Sequence, residues 1–240
     1  MLLMVIKMNI KKLVRRLFLG YKGSSEDYIN HLRKKGVVIG DDVTIYRPFN
    51  TTIDPTSPHL LSIGSHVVIT GPVTILTHDY SWAVLKNKYG EVWGNERKTR
   101  IGSNVFIGWG AIILGGADIG DNVIIGAGSV ISGKIESNSV YGGNPARKIM
   151  SLEEFYEKRK NAQLAEAKSF VVEFRNCYGK NPAPEDLDEY FFLFSNKLHN
   201  ERFNFQLSLT GNYDESNRIY ESHQPMFENF EEFLRFCKDK

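Results

Sequence analysis

The chain has 240 residues, of which 42% are apolar and 24% are charged, a composition typical of folded globular proteins that excludes a wholly disordered chain. Lys and Arg number 30 against 28 Asp and Glu, and so small an excess does not indicate nucleic acid or an anionic surface as the partner. The two cysteines, Cys177 and Cys237, lie far apart and outside any metal or redox spacing, so we expect reduced thiols in a cytoplasmic protein.

Residues 1–36 form a basic segment with nine Lys and Arg against two acidic residues. Its first apolar run ends before Lys7, far short of the ~20 residues of a membrane span, and no signal-peptide cleavage pattern follows it. Apolar residues at helical spacing predict a helix here, at Leu13, Val14, Leu17 and Phe18. We expect this segment to cap the core or a neighbouring subunit. A basic helix on anionic lipid is the alternative, so peripheral membrane contact stays open but is not supported.

A six-residue repeat follows in residues 37–150. Isoleucine recurs at every sixth position of one unbroken block, at Ile101, Ile107, Ile113, Ile119, Ile125 and Ile131. The same phase occurs upstream at Ile39, Ile45, Ile63, Ile69 and Ile75. A second inward position follows each isoleucine by four residues, as at Val105, Ala111 and Val123 and, upstream, at Val43, Phe49, Val67 and Val73.

This period excludes the common alternatives. Neither a helix of period 3.6 nor a strand of period 2 points one residue in six inward. A coil with three flat faces does so, because each hexad then forms one short strand and one corner, and successive turns stack ~4.8 Å apart. We therefore predict a mainly β fold, a parallel β-helix over residues 37–150, with a loop excursion at 76–100 where the repeat is broken.

The composition changes again in residues 151–240, which contain 12 of the 15 phenylalanines. A Ser-x-x-Glu capping box opens a helical pattern at 151–174. Two further helices are predicted, over PEDLDEYFFLFSN and over FENFEEFLRF. We expect an aromatic-rich helical extension whose small core packs on the end of the β-helix; an exposed surface for a glycan or an assembly partner is the alternative.

Four motifs in this order resemble the hexapeptide-repeat acyltransferases: ILTHDYSW at 75–82, IGSNVFIGWGAIIL at 101–114, IGDNVIIGAGSVISG at 119–133 and GGNPARKI at 142–149. Within that family the chain is similar to maltose and galactoside O-acetyltransferases, and its HDYS variant looks closer to enzymes that acetylate bacterial surface polysaccharides. The resemblance implies a left-handed parallel β-helix, acetyl-CoA as the acyl donor, no metal, and a saccharide acceptor. It also implies a homotrimer whose active sites lie between subunits.

The residues that would carry acyl transfer begin with His78, at the end of the upstream block. Acetylation of a hydroxyl requires a base, and imidazole suits that role near neutral pH. Spacing alone leaves open a corner histidine that bonds a carbonyl; the resemblance of THDYS favours the general base. Asp79 is a candidate to orient the imidazole or to bind acceptor hydroxyls, although a surface turn explains it as well.

The resemblance also implies residues for each substrate. Asn50 and Asp54 match the family's acceptor-binding segment, with Asn50 counted among the catalytic candidates too, although turn chemistry before Pro55 explains both. Trp82 and Trp93 would form a wall against a sugar ring or pack in the excursion. Coenzyme positions are implied at Gly108, Trp109, Ala127, Ser132, Arg147 and Lys148. In the family a lysine usually follows the position of Ser132, whereas here Gly133 follows it and Lys134 comes one residue later. We therefore expect the contacts with the coenzyme phosphates to differ from those of the family.

Other functions remain as alternatives. N-acetylation of an amino sugar uses the same fold and base. A metal-dependent hydration enzyme would need three close His ligands, whereas His59, His66 and His78 are spaced 7 and 12 residues apart. A non-catalytic β-helix scaffold is the third alternative, because a fold does not define an activity.

Overall fold

The structure, a computed structural model, describes residues 18–197 and 200–238. These fall into two units divided between Phe155 and Tyr156. The predicted helical positions Leu13, Val14 and Leu17 lie outside the described residues. Among the helices of the described residues, none combines the length and the hydrophobicity of a membrane span.

The first unit opens with a 3-10 turn at Gly20–Lys22 and helix α1 at Ser25–Lys35. Ser24 caps α1 by accepting a hydrogen bond from the backbone N–H of Asp27, and Gly36 ends it in the left-handed conformation at φ 105°. Tyr28, Ile29 and Leu32 are buried on one side of α1 and join the core of the strands that follow. The predicted N-terminal helix is therefore confirmed as an element of the fold, although α1 lies after the positions whose spacing predicted it.

Seventeen short strands follow α1 in the first unit. In chain order they are β1 Val38–Ile39, β2 Thr44–Ile45, β3 Thr52–Ile53, β4 Leu61–Ile63, β5 Val68–Ile69, β6 Thr74–Ile75, β7 His78–Asp79, β8 Asn95–Glu96, β9 Thr99–Ile101, β10 Val105–Ile107, β11 Ile112–Ile113, β12 Asp118–Ile119, β13 Val123–Ile125, β14 Val130–Ile131, β15 Lys134–Ile135, β16 Ser139–Gly143 and β17 Ala146–Ser151. Further 3-10 turns lie at Pro48–Asn50 and Pro58–Leu60.

The strands stack into three parallel sheets, as the six-residue period predicts. Sheet A runs β1-β4-β9-β12-β15, sheet B runs β2-β5-β10-β13-β16 and then the antiparallel β17, and sheet C runs β3-β6-β11-β14. Ile101 pairs with Ile119, eighteen residues further on, so one full turn is three hexads. The predicted parallel β-helix with inward isoleucines is thus confirmed.

Each sheet contributes one column of isoleucines to the core. In sheet C the column is Ile53, Ile75, Ile113 and Ile131; the last three are fully buried. Ile53 does not fit the six-residue spacing from Ile45, because the 3-10 turn Pro48–Asn50 adds residues to that corner. For the same reason Phe49, predicted to point inward, is 58% exposed; that prediction was wrong.

Two corners of the coil matter for function. The chain passes from sheet C to sheet A at 54–60, 76–98, 114–117 and 132–133, which we call the C–A corner. It passes from sheet B to sheet C at 46–51, 70–73, 108–111 and 126–129, and the turn after β16 extends the same edge; we call this the B–C corner.

The predicted excursion leaves the coil at the C–A corner. β7 and β8 form an antiparallel pair, and helix α2 at Trp82–Tyr89 lies between them. The chain returns at Thr99, so that Ile63 and Ile101 are paired although 38 residues separate them. The excursion lengthens one turn of the coil without shifting the register of the columns.

Helix α3 at Leu152–Tyr178 begins just before the division and continues into the second unit, which also contains α4 at Glu201–Ser208, α5 at Tyr213–Ser222 and α6 at Phe230–Phe236. The predicted capping box is present, since Ser151 N–H donates to Glu154 and Glu154 N–H donates to the Ser151 hydroxyl. The helix predicted over PEDLDEYFFLFSN was wrong. That segment forms 3-10 turns at Pro184–Leu187 and Phe191–Leu193.

The phenylalanines of the second unit are mostly core residues. Phe191, Phe203 and Phe233 are each at most 3% exposed, and they pack with Tyr220, which is fully buried. The two cysteines are free, Cys177 exposed and Cys237 buried. The second unit therefore has a hydrophobic core of its own, formed by the aromatic residues that the composition singled out.

Candidate active site

At the C–A corner the side chains of His78 and Asp54 are in contact. β3 and β6 are parallel neighbours in sheet C, so the residues that follow their carboxyl ends meet at one edge. The His78 Nδ1 and Asp54 Oδ2 atoms are 2.6 Å apart. The two side chains are 14% and 6% exposed. A histidine and a carboxylate that are 24 positions apart in sequence thus form one pair, in which Asp54 is buried and His78 keeps a small exposed part.

Asp54 is held as a carboxylate by three neighbours. Burial raises the pKa of its carboxyl, but hydrogen bonds from the Thr56 backbone, the Thr77 hydroxyl and His78 outweigh burial and lower the pKa from 3.8 to about 2. The Thr56 N–H lies 2.9 Å from Oδ1 and the Thr77 hydroxyl lies 2.7 Å from Oδ2. Asp54 therefore keeps its negative charge at neutral pH.

This charge determines the tautomer of His78. An ionised carboxylate only accepts hydrogen bonds, so Nδ1 must carry the proton that Asp54 accepts. In the neutral ring Nε2 then bears the lone pair. Within residues 18–197 and 200–238 no hydrogen-bond partner contacts Nε2. The pair presents an oriented base to whatever enters the corner.

Aromatic side chains extend from the histidine into the excursion. The Tyr80 ring lies edge-on to His78 with centroids 5.2 Å apart, and Trp82 lies edge-on to Tyr80 at 5.9 Å. Trp82 is half-buried. Trp93 is 65% exposed and its indole N–H donates to Glu91. Of the two predicted tryptophans, Trp82 is thus linked to His78 through Tyr80.

Asp79 and Asn50 lie away from the His78 ring nitrogens. The Asp79 carboxylate accepts hydrogen bonds from the Ser81 backbone and the Asn95 side chain. The hydrogen bonds with Ser81 are the main cause that lowers the pKa of the Asp79 carboxyl, and the bond from Asn95 adds to it. The carboxylate that orients the imidazole in the structure is Asp54. Asn50 is exposed at the other end of β3, on the B–C corner, so a single chain does not bring it to His78.

The B–C corner collects most of the predicted coenzyme positions. Gly108 is buried, and a Cβ there would come 2.6 Å from the Ala127 backbone nitrogen, so the stacking of the turns itself requires glycine. Trp109 is 47% exposed, with the Arg47 guanidinium 4.6 Å from its ring centroid. In the described part of the chain, the backbone N–H groups of Trp109 and Ala127 have no hydrogen-bond partner.

The remaining coenzyme positions are divided between the corners. Arg147 is exposed just after the turn between β16 and β17, which continues the B–C corner. The Lys148 ammonium lies 2.7 Å from Glu136, and that hydrogen bond raises the pKa of Lys148. Ser132 is exposed on the C–A corner, the corner of His78.

Several contributors were not identified from the sequence. Thr77 and Thr56 stabilise the Asp54 charge, and Gly115 lies so close to the start of β7 that a Cβ there would be 2.9 Å from the Thr77 carbonyl. Thr77 precedes His78 in the THDYS motif, which was the available signal. In residues 18–197 and 200–238 no three His, Cys, Asp or Glu side chains could together hold a metal ion.

The fold and the oriented histidine define a β-helical protein of the hexapeptide-repeat class. The family model described as bacterial transferase hexapeptide, six repeats, matches residues 98–133. The curated Protein CapG from Staphylococcus aureus is 43% identical over 147 residues, which cover 60% of this chain and 83% of that protein. The chain therefore belongs to the hexapeptide-repeat family of bacterial transferases, with the predicted left-handed parallel β-helix as its fold.

Solved structures with likeness to the chain include a maltose O-acetyltransferase from Clostridium difficile 630, 28% identical, with a TM-score of 0.39 over 62% of this chain and 88% of that one. A hexapeptide-repeat acetyltransferase from Vibrio cholerae is 21% identical, with a TM-score of 0.44 over 60% of this chain and 92% of that one.

Proposed function

We propose that this transferase moves the acetyl group of acetyl-CoA to a hydroxyl of a saccharide, with His78 as the general base. The acceptor we propose is a surface polysaccharide or its precursor, as the HDYS motif suggests. Acetyl-CoA acts as a substrate and no metal is required. The reaction matches the chemistry of the C–A corner, which offers an oriented base and, among its side chains, no cysteine or serine in a nucleophile motif.

The observation that carries the proposal is the pair of Asp54 and His78. A general base needs a lone pair aimed at the proton it removes, and it needs a partner that stabilises the cation formed. Asp54 supplies both, because its charge holds the proton on Nδ1 and offsets the charge of an imidazolium. A corner histidine that only bonds a backbone carbonyl would have no negative charge beside it to stabilise the imidazolium.

In the proposed step the acceptor oxygen attacks the thioester carbonyl carbon while Nε2 of His78 takes the hydroxyl proton. The carbon–sulfur bond then breaks, and the imidazolium returns the proton to the thiolate sulfur. The products are an acetyl ester and the free thiol of CoA. The unpartnered N–H of Trp109 is suited to donate to the thioester oxygen, where negative charge develops.

We further propose a homotrimer in which two chains build each site. His78 lies on the C–A corner and Trp109 lies on the B–C corner, so sheet C separates them within one chain. An acetyl group bound at the B–C corner can then be reached by the His78 of a neighbouring chain. Asn50, on the B–C corner, would join His78 in the same way, and so would the coenzyme positions Gly108, Ala127 and Arg147.

The test is acetyl-CoA turnover by the full-length protein with a panel of hexoses, N-acetylhexosamines and their nucleotide conjugates. Free thiol should appear only when a suitable sugar is present, and the product should be an ester rather than an amide. His78→Ala should lose ~100-fold or more of the rate. His66→Asn is the matched control, because His66 is half-exposed at φ 57° elsewhere on the coil and Asn tolerates that conformation. Equal rates for wild type and His78→Ala would remove His78 as the base.

A further inference from the structure

Glu96 lies beside the proposed base although eighteen residues separate it from His78. β7 and β8 are antiparallel, and their register places His78 directly opposite Glu96. Side chains that are directly opposite in an antiparallel pair lie on the same face of the ribbon, with Cβ atoms about 5 Å apart. The excursion therefore brings a carboxylate next to the imidazole.

The loop that carries Asp54 also holds this carboxylate. The Ser57 hydroxyl donates to Glu96 Oε2 at 3.3 Å, and Ser57 is 7% exposed. Three residues earlier in the same loop, Asp54 accepts from His78. Two residues of one short loop, Asp54 and Ser57, thus contact the two side chains that face each other across the ribbon. Glu96 itself is exposed, and in the described part of the chain Oε1 has no hydrogen-bond partner.

The chemistry of Glu96 restricts what can lie against it. A carboxylate accepts hydrogen bonds and donates none, so a substrate group that faces Oε1 must be a hydroxyl or an N–H. An anionic group at that position would meet a like charge. The reacting hydroxyl faces Nε2 of His78, and neighbouring hydroxyls of a sugar ring are close enough together to contact both side chains.

We infer that Glu96 is a specificity residue, which accepts a hydrogen bond from a second donor of the acceptor adjacent to the hydroxyl that is acetylated. The acceptor is then a sugar unit with a neighbouring free hydroxyl or N–H, without a carboxylate or phosphate at that position. This inference rests on the proposed function and adds the class of acceptor.

The experiment compares the best acceptor from the sugar panel with its monodeoxy derivatives and its uronic acid. NMR of the product identifies the acetylated position and hence the neighbouring one. In the wild type, removal of the neighbouring hydroxyl should lower kcat/KM by roughly 10-fold or more, as expected for a hydrogen bond to a charged group. In Glu96→Gln that factor should shrink to about 3-fold or less, since a bond between neutral groups is weaker. The KM for acetyl-CoA should be the same in both proteins.

Glu91→Gln is the matched control, because Glu91 is an exposed glutamate of the same excursion that contacts Trp93. It should discriminate between the acceptors as the wild type does. Glu96→Gln should also accept the uronic acid at least ~3-fold better than the wild type, since the like charge is gone. A purely structural Glu96 would not produce such a gain.

Equal discrimination by wild type and Glu96→Gln would overturn the inference while leaving the proposed function intact. No thiol release from the wild type with any sugar would overturn the proposed function itself. Thermal unfolding of each variant separates loss of folding from loss of recognition, and Glu96→Asp, which keeps the charge, should retain the low rate with the uronic acid.

Discussion

The carboxylate of Asp54 accepts hydrogen bonds from the Thr56 amide in its own loop and from the Thr77 hydroxyl and the His78 imidazole in the next turn of the coil. We predict that Asp54→Asn lowers the rate by roughly 10- to 100-fold, because a side-chain amide can donate to Nδ1 and so favour the wrong tautomer. Asp79→Asn should lose far less, since Asp79 contacts Ser81 and Asn95 instead. Steady-state rates of the two variants measure the difference; a larger loss in Asp79→Asn would assign the orienting role to Asp79.

The same carboxylate makes a pH-dependent contribution to stability. Its pKa is about 2 in the folded protein, against 3.8 for an ordinary aspartate. Because the folded pKa is the lower one, the stabilisation is complete above pH ~4 and is lost as the pH falls through 2, and it amounts to about 2 kcal/mol.

We therefore expect urea unfolding to show that the stability of wild type relative to Asp54→Asn falls by about 2 kcal/mol between pH 6 and pH 2, because only the wild type has this carboxylate to protonate. A difference that stays constant with pH would mean that the carboxylate is not held ionised by its neighbours.

At the scale of single residues, the sequence predicted His78 and Asp54 but not the contact between them. The isoleucine columns establish that Ile53 and Ile75 are neighbours, and only that register brings Asp54 to His78. The six-residue repeat did not identify Ile53 as a core position, because the 3-10 turn at Pro48–Asn50 lengthens the interval between Ile45 and Ile53. Asp79, adjacent to His78 in sequence, was the natural candidate for the partner.

At the scale of secondary-structure elements, the turn that lies next to β7 has no room for a side chain at Gly115. A Cβ at Gly115 would lie 2.9 Å from the Thr77 carbonyl and 3.2 Å from the His78 backbone nitrogen. We predict that Gly115→Ala costs about 1–3 kcal/mol of stability, because backbone must shift to admit the methyl group, and that it lowers activity by displacing His78.

Gly94→Ala is the control for this prediction, since a Cβ at Gly94 would meet no atom within 4 Å. Thermal unfolding and acetyl transfer of both variants provide the comparison. Equal stability and activity in the two would show that the turn can move without affecting the base.

Sequence patterns predicted the elements unevenly. The hexads predicted the sheets because one residue type recurs in a fixed inward position. The segment PEDLDEYFFLFSN failed as a helix because its buried apolar residues, Phe191, Leu193 and Phe194, are too close in sequence to lie on one helical stripe. Helices α4 and α5 were not predicted, and their packing around Phe203 and Tyr220 is a tertiary effect.

For the whole molecule, the proposed trimer makes a prediction about mixed assemblies. His78→Ala impairs the C–A corner, and Ala127→Trp blocks the B–C corner, where Ala127 is exposed. Each variant alone should be inactive. When the two are unfolded together and refolded, about a quarter of the sites in randomly mixed trimers combine one intact corner of each kind, so about that fraction of the wild-type activity should return. No recovery in verified mixed trimers would mean that one chain builds the whole site.

The uninterrupted pairing of Ile63 with Ile101 across the excursion also has a consequence for engineering and for divergence within the family. Since Ile63 and Ile101 pair directly, the length and the side chains of residues 76–98 can change without altering the register of the three sheets. Under the proposed function, substitutions confined to this segment are enough to change which acceptor is bound.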